Sequence, residues 1–142
     1  MECEIKWLGE PGISFFAKTG SGHTLEIDTV QAEEKQSIGP RPMEIFLTGA
    51  ISCTLYDLVS GIKEKGGVLH SCNAKAHGNR KTTNPKIFTE IKVDFTIQAE
   101  NISSETIKDI LKSSRETYGS AIKMLEKSAH ISFNFNLSSK QS

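Results

Sequence analysis

Neither sign of charge dominates this chain: seventeen Lys and Arg balance seventeen Asp and Glu, and neither sign collects into a block. Without a basic stripe to neutralise phosphates, nucleic acid is not an expected partner, and no charged tail is expected either. Cysteine is scarce and odd in number, three in all, at positions 3, 53 and 72. There is no CxxC spacing, which argues against a disulfide framework and against a zinc knuckle. The four histidines show no ligand spacing with the thiols, so neither a metal nor another cofactor is expected. Thiols kept reduced point to the cytoplasm. The opening MECEIKWLGE has no apolar core of a secretory signal, and no uninterrupted apolar run reaches the roughly 18 residues of a bilayer span, so no membrane association is expected. A chain of 142 residues with 37% hydrophobic content is expected to form one domain over 1–142.

What the chain does have is a long apolar helix between prolines and glycines, GPRPMEIFLTGAISCTLYDLVSGIKEKG, Gly39 to Gly66. Pro40 and Pro42 favour an extended lead-in and a proline in the first turn. Met43, Phe46, Leu47, Ala50, Ile51, Leu55, Leu58, Val59 and Ile62 recur at spacings of three and four, which predicts a buried stripe. Lys63, Glu64 and Lys65 precede Gly66-Gly67, where a helix stops and its dipole favours cations. Roughly 22 residues at 1.5 Å rise give about 33 Å, the length of a central helix. Cys53 falls within this stripe, and Asp57 lies one turn later on nearly the same face. A thiol so placed is either an inert core residue or a reactive group in an apolar setting, and reactivity requires a cation or hydrogen-bond donor from elsewhere in the fold. Asp57 is correspondingly either a buried polar support in need of a partner or a solvated carboxylate.

Short strands are predicted over 2–8 and 13–18, joined by Gly9-Glu10-Pro11-Gly12, with a third containing Leu25 and Ile27 after the turn Thr19-Gly20-Ser21-Gly22. Residues 30–39 are polar and read as a loop. After the helix, Val68, His70, Cys72, Ala74 and Ala76 are predicted to share one strand face. A polar connection over 79–85 leads to the alternating strand Ile87 to Gln98. Ser103 reads as an N-cap for a helical stripe from Ile107 to Leu125, broken around Thr117 to Gly119. Ile131, Phe133, Phe135 and Leu137 alternate in a last strand. The order βββ-α-ββ-αα-β is that of an α+β fold, not a doubly wound one, and so apolar a helix predicts cover from a second copy.

This ordered set resembles the OsmC/Ohr superfamily. The resemblance rests on Gly39-Pro40-Arg41-Pro42-Met43-Glu44 at the helix start, the helix with Cys53, Pro85-Lys86-Ile87-Phe88-Thr89, and Tyr118-Gly119-Ser120 with Met124-Leu125-Glu126-Lys127. Ser21-Gly22-His23 before a strand and Met43-Glu44 are similar to the YhfA-like branch. The resemblance implies two antiparallel sheets around long central helices in an intertwined homodimer. It also implies thiol-dependent reduction of organic hydroperoxides in an oxidative stress response. Cys53 then matches the peroxidatic cysteine, which becomes a sulfenic acid. The family's resolving cysteine falls at Gly119, so that thiol is absent. Its glutamate falls at Met43, with Glu44 displaced by one residue. Its arginine has no counterpart in the N-terminal strands, where Lys18 and His23 are the nearest basic side chains; Arg41 is a possible substitute.

Two functions follow as expectations. In one, Cys53 attacks the peroxide and an external thiol resolves the sulfenic acid, with Glu44, Met43, Asp57, His23 and Arg41 as possible supporting residues. Cys72 or Cys3 could serve as resolver only within about 7 Å between Cα atoms. In the other, the peroxidase chemistry is lost and the dimer seam around Cys53 binds a small apolar ligand.

Overall fold

The computed structural model describes residues 1–29 and 37–139. Of the stretch expected as a loop over 30–39, residues 30–36 lie outside the described residues. The chain divides into two compact units, Met1–Phe46 and Leu47–Ser142, with the division inside the long helix.

The N-terminal unit is a meander of β1 (Cys3–Trp7), β2 (Ser14–Thr19) and β3 (Thr24–Asp28). All three strands are antiparallel, with Ile5 opposite Ala17 and Phe15 opposite Ile27. Asp28 is buried at the end of β3 and accepts hydrogen bonds from the Ser14 hydroxyl at 3.3 Å and the Ile38 N–H at 3.1 Å. Its own N–H reaches the Pro40 carbonyl at 3.1 Å. This network holds residues 37–40 in an extended lead-in to α1 (Pro42–Glu64).

Both ends of α1 follow from local chemistry. Arg41 takes the N-cap position, and Glu44, three residues on, accepts its backbone N–H at 2.8 Å, one half of a capping box. At the other end Gly66 adopts φ 81°, the left-handed conformation glycine allows, and the Gly67 N–H bonds the Ile62 carbonyl at 2.9 Å in a Schellman turn. By length and composition alone α1 is long and apolar enough to cross a membrane, which corrects the expectation that no segment is. Within the single chain it buries one stripe, Ala50, Ile51, Thr54, Leu58 and Ile62.

The C-terminal unit contains β4 (Val68–Arg80), β5 (Phe88–Glu100), α2 (Ser104–Ser113), a π-turn (Ser114–Tyr118), α3 (Ser120–Leu125) and β6 (His130–Ser138). The fold is α+β with two three-stranded sheets. The second sheet is not purely antiparallel as expected: β6 runs parallel to β5, with Ile91 opposite Ile131. The helical crossover between them is long enough to return the chain in the same direction. Alternation along β5 buries Ile91, Val93, Phe95 and Ile97, and Phe95 meets Phe133 edge-on at 5.6 Å between ring centroids. A register shift between Leu69 and Ser71 corrects a second expectation. The irregularity flips the side-chain phase, so Val68 and His70 are exposed while Cys72, Ala74 and Ala76 are half-buried. Ser103 caps α2 as predicted, accepting the Thr106 N–H at 3.1 Å.

One buried group in α1 lacks a partner. Thr54 is fully buried, and its hydroxyl makes no hydrogen bond among the described residues. An unsatisfied buried hydroxyl costs about 1–3 kcal/mol, whereas valine has the same shape and a similar helix propensity. Thr54→Val is therefore expected to stabilise the protein by about 1 kcal/mol in denaturant unfolding. A loss of that size would show that the hydroxyl is satisfied after all.

Candidate functional site

Apolar residues cover more than one face of α1, and this decides where Cys53 goes. The inner stripe is buried, but Phe46, Cys53 and Tyr56 are exposed on the outer side. Two residues separate Cys53 from both Ile51 and Leu55, about 200° of helical rotation. Of the two expectations, an inert core thiol or a reactive group in an apolar setting, the core placement does not hold within the single chain: the thiol is exposed on the side of α1 away from its buried stripe. Among the described residues its sulfur has no hydrogen-bond partner.

Cys72 shares the inner face of β4 with Ala74 and Ala76, which with Leu47, Ile51 and Leu55 line an apolar cavity of about 230 Å³. Burial pushes the Cys72 thiol pKa up. Cys72 is half-buried on β4, whereas Cys53 is exposed on α1. Cys3 lies exposed on β1 in the N-terminal unit.

Asp57 falls between the two expectations: it is half-buried, and it has a partner. The hydroxyl of Ser114, itself 1% exposed, donates to its Oδ2 at 2.6 Å. This bond ties α1, one turn after Cys53, to the π-turn. Both residues line a cleft of about 630 Å³ with Tyr56, Ser60, Ile110 and Tyr118. Sequence reasoning missed Ser114, although a signal was there: it is a polar residue on the stripe of Ile107, Ile110 and Leu111, and a polar side chain on a buried stripe demands a partner.

The π-turn closes with the Gly119 N–H donating to the Ser114 carbonyl at 2.6 Å. A Cβ at position 119 would lie 2.6 Å from that same backbone oxygen. The place of the family's resolving thiol is therefore closed to any side chain in this backbone conformation.

The remaining candidates have local roles. Arg41 and Glu44 pair with each other, the guanidinium 2.6 Å from the carboxylate. The hydrogen bond from Arg41 holds the Glu44 carboxyl below its ordinary pKa and raises that of Arg41. Together they cap α1. Met43 is half-buried in its first turn. His23 is a turn residue, its Nδ1 3.1 Å from the Ser21 hydroxyl, and Lys18 is exposed on β2. Of the sequence candidates, the C-terminal unit places Cys53 and Asp57 one turn apart, and the N-terminal unit joins Arg41 to Glu44. No group of three or more His, Cys, Asp or Glu that could hold a metal occurs among the described residues.

The sequence model for OsmC-like protein matches residues 33–134. The chain is 26% identical over 137 residues to Protein YhfA of Escherichia coli K12, covering 96% of this chain and 98% of YhfA. Its fold matches an OsmC-like protein from Mycoplasma pneumoniae with a TM-score of 0.79 at 20% identity, covering 96% of each chain. It also matches an organic hydroperoxide resistance protein OsmC from Legionella pneumophila with a TM-score of 0.69 at 11% identity, covering 96% and 97% of the two chains. Two small sheets and a long helix thus give the chain the fold shared by OsmC-like and organic hydroperoxide resistance proteins. The chain belongs to the OsmC-like family, in its YhfA-like branch.

Proposed function

We propose that this protein reduces organic hydroperoxides with Cys53 as its one catalytic thiol and an external dithiol as reductant. The observation that carries the reading is the exposed, partnerless Cys53 on the long helix of an OsmC fold. The name of the Legionella neighbour, an organic hydroperoxide resistance protein, supports it. The Cys53 thiolate attacks one peroxide oxygen, the O–O bond breaks, and the alkoxide leaves as an alcohol after taking a proton. Cys53 is then a sulfenic acid. One thiol of the external dithiol displaces water from that sulfur to give a mixed disulfide. Its second thiol closes to an external disulfide and returns Cys53 to the thiol. With position 119 closed and the Cys72 thiol half-buried with its pKa raised, the external thiol is the resolver in this reading.

The working form in this proposal is a homodimer in the cytoplasm. Ile5, Trp7, Leu8, Ile13, Phe46 and Tyr56 are large, apolar or aromatic, and exposed in the single chain, side chains a second copy could cover. Pairing of two copies through the outer face of α1 would convert the exposed Cys53 into a thiol at an apolar seam.

A second reading has its own observation. Arg41 and Glu44 are engaged with each other as a helix cap, which leaves no charged pair assigned to Cys53. In that reading the seam binds a small apolar ligand without turnover. Treatment of the reduced protein with cumene hydroperoxide and a sulfenic-acid trap, followed by intact mass and peptide mapping, separates the two. A fast single-oxygen adduct on Cys53 is the expected result. Reaction no faster than that of free cysteine would reject the peroxidase and leave the ligand-binding reading.

A further inference from the structure

We propose a second binding site, independent of Cys53, for a small organic anion with an alkyl tail, such as a fatty carboxylate. It is a cleft of about 490 Å³ between α2, the π-turn, α3 and β6, within the size range of small-molecule pockets. Its floor is apolar, formed by Leu111, Phe133 and Phe135, and the Phe133 ring is fixed by its edge-on contact with Phe95. Its rim carries Lys108, Lys112, Arg115 and Lys123 against Glu116 and Glu126. In a chain of zero net charge, this is a local surplus of cations over an aromatic floor.

The pairing inside the cleft shows where the anion belongs. Glu126 is taken by both Arg115 and Lys123. Burial pushes its carboxyl pKa up, but the hydrogen bonds and charges of those two cations outweigh that and hold it below the ordinary range. Lys108 pairs with Glu105 at 2.8 Å, outside the cleft lining. Lys112 makes no ion pair among the described residues. Glu116 stands four residues beyond Lys112, where a regular helix would bring them together. The π-turn from Ser114 to Tyr118 interrupts that regular geometry, and no ion pair joins Glu116 to Lys112 among the described residues. Lys108 keeps Glu105 as its partner, so Lys112 is the rim cation open to an anion, with Lys108 one turn away adding to the local positive charge. A carboxylate at Lys112 places its alkyl chain on Phe133 and Phe135, and the cationic rim selects against neutral and cationic amphiphiles.

The test uses the full chain, decanoate, and decyltrimethylammonium as a cation of the same tail, followed by amide NMR. Saturable shifts with decanoate at residues 108–116 and 133–135 are expected, and none with the cation. Lys112→Gln and Lys108→Gln, both exposed changes, should each weaken binding about tenfold with little change in melting temperature, since an exposed ion pair contributes little. Equal binding of both amphiphiles, shifts centred on α1, unaltered affinity in both variants, or no saturation would overturn the proposal. So would shifts that vanish where the chain self-associates, since the cleft would then be an interface between copies. None of these readouts depends on Cys53 reactivity.

Discussion

Cys53→Ser is expected to bring hydroperoxide consumption down to the uncatalysed background, a loss of at least about a thousandfold against an activated thiol. The serine hydroxyl is neither ionised nor nucleophilic at neutral pH and cannot reach the sulfenic state. No other thiol of the C-terminal unit takes over: Cys72 is half-buried on β4, its pKa raised by burial. Cys3 is exposed and contributes only the slow reaction of any free thiol. Because Cys53 is exposed and without a hydrogen-bond partner, the variant should unfold within about 0.5 kcal/mol of the wild type. Initial rates with cumene hydroperoxide and excess dithiothreitol check the first part, and denaturant unfolding checks the second. Turnover that survives in the variant would sink the peroxidase reading.

The sequence made the large elements legible because each carries its own punctuation. Prolines before Met43 and glycines after Lys65 bound α1, Ser103 caps α2, and the helical stripe breaks at Gly119, where the π-turn ends. The facing of particular residues was less legible. Apolar side chains at spacings of three and four mark helix but not the width of the buried face. On α1 they cover two sides, so Cys53 followed the pattern and still ended exposed. The shift at Leu69 is invisible to period-two counting, because one extra residue reverses every later side chain. The Arg41–Glu44 pair was not legible in the sequence, where both stood as possible supports for Cys53; the structure joins them as a helix cap. The Asp57–Ser114 bond joins residues 57 positions apart, a separation at which no local pattern operates. The π-turn that makes the bond possible could be read only as a break.

Gly119→Cys, the substitution that restores the family's second thiol, is expected to destabilise the protein rather than complete a disulfide pair. The backbone dihedrals at 119, φ −75° and ψ 69°, suit any residue, so the penalty is one of contact. The added Cβ would lie 2.6 Å from the Ser114 carbonyl oxygen, a backbone atom that cannot rotate away as a side chain could. To make room, the π-turn must open and give up the Gly119–Ser114 hydrogen bond. The same residue anchors the turn to α1 through its hydroxyl on Asp57, so the strain reaches the helix one turn from Cys53. Overpacking of this kind costs about 1–3 kcal/mol. Gly119→Ala should cost nearly as much, because the offending atom is the Cβ and not the sulfur. Melting temperatures of both variants test the contact. Mass analysis of peroxide-treated Gly119→Cys tests the chemistry, with a trapped sulfenic acid expected on Cys53 and no rapid loss of two hydrogens. If Gly119→Ala is as stable as wild type and Gly119→Cys closes a disulfide at once, the turn yields readily, and its missing thiol has no steric origin.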